Sequence, residues 1–325
     1  MKTSVTAVFP RSVAASASRR LAGKLPALAS GLALAVCAPV LAFHGYIAWT
    51  IARPTPTPLQ SNPEQALGLP YRDVRFRSLG GDVRLSGWYI PAPDSERTVV
   101  FSHGYGANRE EYWVPMYDLV GEVHRRGYNV LMFDYGYVGN PGRPVTAGVN
   151  ETRELLGAVA FARSQGADRV YVWGFSMGAG IALQAALAGS VAGAPGIDAL
   201  VLDSTFVLTP ETLRYNLSRH GRLPDWSAPL VESWFPLLHG VRLSDIPFRD
   251  LLTVQFDIPV YVVHGALDDK APVAIAEQIA ANQSANPLSG SWIVPDGHHE
   301  LLFRYHREEY LKRTLGFLDV VSSVS

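Results

Sequence analysis

Residues 169–184 read "RVYVWGFSMGAGIALQ": an apolar run, a serine flanked by glycines, then a stretch of small residues with the length of a helix. Gly174-Phe175-Ser176-Met177-Gly178 fits the G-x-S-x-G nucleophile elbow. In such an elbow the serine occupies a strained turn, at about 1–3 kcal/mol, and its hydroxyl stands clear of the sheet. Gly174 and Gly178 are glycines because strand and helix backbones almost touch there. The pentapeptide alone is common; at a strand-to-helix junction it is specific. A serine hydroxyl needs a base to take its proton and an acid to orient that base. Downstream, "VVHGALDDKAP" supplies Asp268 and Asp269, and "VPDGHHELLF" supplies His298 and His299. Both groups follow apolar runs, at the carboxyl ends of strands where open α/β sheets bind their ligands. Asp203 in "LDSTF" is a competing carboxylate in a similar position.

The elements that must position these groups are readable from periodicity. Short apolar runs at 98–104, 129–135, 169–175, 199–205, 259–265 and 291–297 have the character of strands covered on both faces. Helical segments alternate with them at 110–126, 150–165, 177–189, 271–282 and 301–321. "YRDVRFRSLGGDVRLSGWYIPA" reads as an antiparallel hairpin ahead of them. The fold class is α/β, a doubly wound, mostly parallel sheet. More than fifty residues separate Thr205 from Pro259. A structureless loop of that length is improbable, so a small helical cap is expected at about 206–258.

Formal net charge is −1, but residues 1–53 contain six cations and no acid, leaving the remainder acidic. That balance excludes a nucleic-acid surface. Residues 25–52 carry no Asp, Glu, Lys or Arg, a run longer than the roughly 20 needed to cross a bilayer. Five cations precede it, which predicts a basic cytoplasmic N-terminus at 1–24 and a single-pass signal anchor at 25–52. A proline-rich, disordered linker at 53–63 and a domain at 64–325 on the outer, periplasmic or extracytoplasmic side complete the order. Tyr46 and Trp49 suit the outer interface. The run is too long for a cleaved signal peptide, and "LAVC" is a poor lipoprotein box. Cys37 is the single cysteine. Histidine spacing offers no metal site and no glycine loop is of the dinucleotide or Walker type, so neither metal nor cofactor is expected. Oligomeric state is not written in the sequence.

From about residue 66 to 320 the chain resembles the α/β-hydrolase superfamily, in particular bacterial single-domain serine hydrolases akin to monoglyceride-lipase-like and serine-aminopeptidase-like members. "FSHGYGANRE", "YNVLMFDYGYVG", "GFSMGAG", "LDSTF", "HGALDDKAP" and "DGHHE" carry the resemblance, in that family's order. The resemblance implies Ser176 as nucleophile, Asp268 rather than Asp269 as the acid, and His298, placed by the pattern G-H-x-[DE], as the base. It also implies an oxyanion hole from the backbone N–H groups of Tyr105 and Met177, and structural roles for His103, Asp134 and Asp203. One departure is "YGYVGNPG" after Asp134, whose Tyr135 and Tyr137 are either lining of the pocket entrance or neutral. The expected activity is a membrane-anchored serine esterase or lipase acting on a small or lipid-like acyl substrate through an acyl-enzyme. Alternatives are an aminopeptidase, amidase or thioesterase with the same triad, or a non-catalytic tethered scaffold.

Overall fold

The computed structural model describes residues 30, 35, 37–189 and 194–324. Eight strands form one sheet in the order β1-β2-β4-β3-β5-β6-β7-β8. β1 (Arg72–Arg77) and β2 (Arg84–Ile90) make the expected hairpin, Phe76 facing Leu85 across it. β2 lies antiparallel to β4 (Asn129–Asp134), and β3 (Arg97–Ser102), β5 (Arg169–Phe175), β6 (Ala199–Asp203), β7 (Val260–Gly265) and β8 (Gly290–Val294) continue in parallel. The central strands are buried on both faces, which is why they read as continuous apolar runs rather than alternating ones.

Each face is closed by helices. α4 (Glu151–Ser164), α5 (Met177–Gly189) and α10 (Val273–Asn282) place Leu155, Ile181 and Ile279 in one core. α3 (Met116–Arg125) and α12 (Arg307–Ser323) place Leu119, Val123, Leu315 and Leu318 in the other. The chain leaves β3 for β4 on one side and later crosses to β5 on the other. The crevice for a ligand therefore opens above the carboxyl ends of β3 and β5. Between β6 and β7 lie α6 (Pro210–Arg219), α7 (Ser227–Glu232), α8 (Phe235–Leu238), a 3₁₀ turn (Leu243–Asp245) and α9 (Phe248–Leu251). Thr209 starts α6 with a reciprocal capping bond to Thr212. Leu213, Leu217, Val231, Phe235 and Ile246 give these pieces a core of their own.

Residues 37–52 form a helix, α1, and it is part of this assembly. Ala48 and Ala52 are fully buried, and a Cβ on Gly45 would lie 2.9 Å from the Trp234 ring. Val145 N–H donates to Ala52 O at 2.8 Å, and the His239 ring lies 3.1 Å from Ala48 O. Among the described residues no helix is long and apolar enough to cross a membrane. Residues 1–24, and 25–29, 31–34 and 36 of the expected anchor, lie outside the described residues. The expected disordered linker is tied down instead: Asn108 donates to Thr57 O at 2.6 Å, and the N–H groups of Gln60 and Ser61 donate to the Glu110 carboxylate. Asn62 then caps the short helix α2 (Pro63–Leu67). Proline content kept this segment extended without making it loose.

Candidate active site

Ser176 adopts φ +51°, the left-handed conformation that the elbow demands. A Cβ on Gly174 would lie 2.6 Å from the Ala179 backbone, and one on Gly178 would lie 2.1 Å from Ser102 O. No side chain fits at either position, so the strand and helix can cross only over glycine. The turn is held by Ser176 N–H donating to Asp203 O at 2.9 Å and by Phe206 N–H donating to Ser176 O at 3.0 Å.

The imidazole that meets this serine belongs to His299. Its Nε2 lies 2.8 Å from Ser176 Oγ, and its Nδ1 lies 2.6 Å from Asp268 Oδ2. The expectation of His298 is corrected by geometry: His298 is exposed, one residue short of the crevice. The register is set by Gly297, whose carbonyl accepts the Leu267 N–H at 3.0 Å and which packs directly on Gly265. With Gly297 pinned to β7, the next side chain turns to solvent and the following one turns in. Asp268 occupies the predicted place, while no contact brings Asp269 to the imidazole.

Asp268 Oδ1 accepts the N–H groups of Lys270 and Ala271 at 2.9 and 2.8 Å. Burial works against its charge, but the hydrogen bond and positive character of His299, with His264 behind it, outweigh burial and hold the carboxyl below its usual range. The same pairing acts on His299. Burial disfavours imidazolium, yet the Asp268 hydrogen bond and the nearby Glu300 and Asp268 carboxylates raise its pKa. An ionised Asp268 can only accept, so Nδ1 carries the proton and Nε2 is free to accept the Ser176 hydroxyl.

Tyr105 and Met177 line the same cavity as Ser176. Met177 opens α5, so its N–H has no partner inside the helix. The loop carrying Tyr105 is braced from behind by buried groups. His103 has its pKa lowered to about 4, chiefly by burial, so it is neutral. Its Nε2 accepts Tyr135 N–H at 3.2 Å and its Nδ1 faces Gly104 O at 2.9 Å. Tyr135 and Tyr137 are buried against it, the first bonded to Ser102 and the second donating to Gly104 O. They support the loop and are not the lining of an entrance. Asp203 accepts from Tyr310 and Ser204 and makes no bond to the imidazole. Asp134 pairs with Arg109 at 2.6 Å.

Two carboxyls lie behind the site: Glu300, the acidic position of the G-H-x-[DE] pattern, and Glu111, which no motif marks. Glu111 accepts the Gly104 N–H at 2.5 Å, and Glu300 Oε2 lies 4.0 Å from His299 Nε2. A Cβ on Gly104 would touch both carboxyls and the Ser176 Cβ. Burial pushes both to about 8, helped by the charge of Asp203 at Glu111 and by that of Glu111 at Glu300. A carboxyl whose folded pKa is raised contributes stability that is full below the unfolded value near 4.5 and is lost as pH climbs towards 8. Glu300→Gln keeps the shape and removes the titration. Its melting temperature is expected to fall less than the parent's between pH 5 and pH 9, by about 5 °C, for a difference on the order of 2 kcal/mol at pH 9. Equal slopes in the two melting series would refute the assignment.

Among the described residues no three His, Cys, Asp or Glu side chains are grouped as a metal site. Above Ser176 and His299 is a cavity of about 390 Å³ between cap and sheet, lined by apolar side chains such as Leu213, Leu217, Phe235 and Leu243. Among the described residues its charged lining consists of Arg242 and Lys270, with no acid.

A family model described as the alpha/beta hydrolase family matches residues 99–313, which holds both the serine elbow and the histidine loop. The chain belongs to the alpha/beta hydrolase family. An uncharacterized protein of Mycobacterium tuberculosis is 28% identical over 233 residues, 70% of this chain and 73% of its own. A lysophosphatidylserine lipase of Mus musculus is 30% identical over 202 residues, 59% of this chain; the match spans about half (47%) of the mouse protein. Among solved structures, an esterase of Pyrococcus furiosus superposes with a TM-score of 0.66 at 25% identity, covering 83% of this chain and 98% of the esterase. A hydrolase fold with esterase and lipase relatives is thus established on both sequence and structure.

Proposed function

We propose that this chain is a serine hydrolase that cleaves acyl esters of lipid-like substrates through an acyl-enzyme. The observation that carries this reading is the hydrogen-bonded series Asp268–His299–Ser176 opening onto an apolar cavity. His299 Nε2 takes the hydroxyl proton as Ser176 Oγ attacks the acyl carbonyl. Asp268 holds the tautomer and stabilises the imidazolium. The N–H groups of Tyr105 and Met177 are assigned to the oxyanion, a role in which one donor is worth about 10²–10³ in rate. His299 then gives its proton to the leaving alcohol, and a water activated by the same imidazole releases the acid.

The cavity separates this reading from an aminopeptidase. A substrate ammonium would need a carboxylate at the site, whereas the lining charges are those of Arg242 and Lys270. The lipase relatives support an acyl chain in the apolar space. Membrane attachment is part of the proposal. It is supported by the charge-free run before residue 53, by the cations preceding it, and by Leu41, Phe43, Tyr46 and Trp49 standing exposed on α1. The domain would then lie on the outer side.

One experiment tests both parts. The full chain is expressed, membranes are separated from supernatant, and each fraction is treated with a fluorophosphonate probe. A labelled band in the membrane fraction, absent for Ser176→Ala, is expected. Unlabelled but folded parent protein would sink the hydrolase reading. A labelled band in the supernatant alone would sink the attachment.

A further inference from the structure

α1 does more than lie against the cap. Ile47 and Ile51, four residues apart and so on one helix face, line the cavity that contains Ser176 and His299. The helix is held at that end at three points. Tyr105 Oη donates to Ile51 O at 2.8 Å, from the very residue whose N–H is assigned to the oxyanion. Val145, also a lining residue, donates to Ala52 O, and the ring of His239, another, sits between Ala48 O at 3.1 Å and Val145 O at 2.8 Å, donating to one of them when neutral. The outward face of α1 carries Tyr46 and Trp49 and makes no part of the lining. Cap helices and sheet leave one side of the cavity for α1 to close, and it closes it with two branched aliphatic side chains.

We propose that α1 is a specificity element of the substrate site, with Ile47 and Ile51 bounding the compartment that receives the acyl chain. The chain length accepted is thus set from the N-terminal helix as well as from the cap. This rests on the acyl-ester reading above, and a methylene gained or lost in such a pocket is worth roughly 10–200-fold in discrimination.

The test uses the full chain and two readouts. Hydrolysis of nitrophenyl butanoate and dodecanoate gives a chain-length ratio, and calorimetric binding of dodecanoate to the Ser176→Ala chain gives an affinity that needs no chemistry. Ile51→Trp is expected to lower kcat/KM for the dodecanoyl ester and the dodecanoate affinity at least tenfold, with the butanoyl ester held within threefold. Ile51→Ala, a truncation of a half-buried side chain that the fold tolerates, is expected to move the ratio at least threefold towards the long ester, and it answers should the tryptophan variant not fold. Trp49→Ala, on the outward face, leaves the ratio unchanged. Equal changes on both esters, an unmoved ratio, or no dodecanoate binding by the Ser176→Ala chain would overturn the proposal. Dodecanoate binding that responds to Ile51 in a chain hydrolysing no ester would instead overturn the hydrolase reading and leave the wall standing.

Discussion

His299→Ala is expected to lower kcat on an acyl ester by about 10⁴-fold or more, while His298→Ala stays within about threefold. The two histidines are adjacent and chemically identical, so the comparison isolates position. His299 is buried with one ring nitrogen 2.8 Å from Ser176 Oγ and the other 2.6 Å from Asp268 Oδ2. Its removal leaves Ser176 a free alcohol without its base, and Asp268 a buried carboxylate that has lost the Nδ1–H donor it accepted from. His298 is exposed, and its replacement disturbs no bond to the serine. The losses must appear in kcat with KM little changed, because the imidazole acts on the reacting proton and not on the acyl chain. Melting curves on both variants separate lost chemistry from lost fold. A large loss in His298→Ala together with near-parent activity in His299→Ala would reverse the assignment.

That one-residue difference marks where the sequence stops being informative. The elbow was legible because its constraint is local: the contacts that forbid a side chain at Gly174 and Gly178 are made within one strand-turn-helix unit and its nearest strand. The strands were legible because double burial demands continuous apolar runs. "DGHHE" obeys no local rule that ranks its histidines. The ranking comes from Gly297 seated on Gly265, thirty-two residues earlier in the chain, and only the folded sheet contains that contact. The helix expected from residue 110 starts at Met116 because Glu111 is drawn inward, at φ +41°, to bond the Gly104 N–H. Nothing in "NREEYW" distinguishes that glutamate from its half-buried neighbour Glu110, which holds the N-terminal segment instead. The same limit applies at the N-terminus. A charge-free run states that water is avoided, not whether lipid or protein takes its place. From His44 onward the inner face of that run is covered by the cap and by Val145, and only the outer face remains for a membrane.

Asp268→Asn is expected to cost about 10⁴-fold in kcat, close to the loss from removing the histidine, although it exchanges a single oxygen for nitrogen. The reason is orientation. Asp268 Oδ1 accepts two backbone N–H groups, from Lys270 and Ala271, so an asparagine must keep its carbonyl oxygen there. Its amide NH₂ then points at His299 Nδ1. Two donors cannot face each other, and the imidazole moves its proton to Nε2, where it confronts the Ser176 hydroxyl and can no longer accept from it. The asparagine variant should therefore fold and bind the acyl chain but fail as a base, with activity recovering partly at high pH where the serine hydroxyl ionises more readily. Asp203 supplies the control. It is buried at the end of β6 with its pKa raised to about 6, mainly by burial, and is bonded to Tyr310 and Ser204 but not to the imidazole. Asp203→Asn is expected to keep kcat within about tenfold. Comparable collapses in the two asparagine variants would mean that both carboxylates act on His299, and the orientation argument would then fail. A fall confined to Asp268→Asn identifies the acid by the tautomer it enforces.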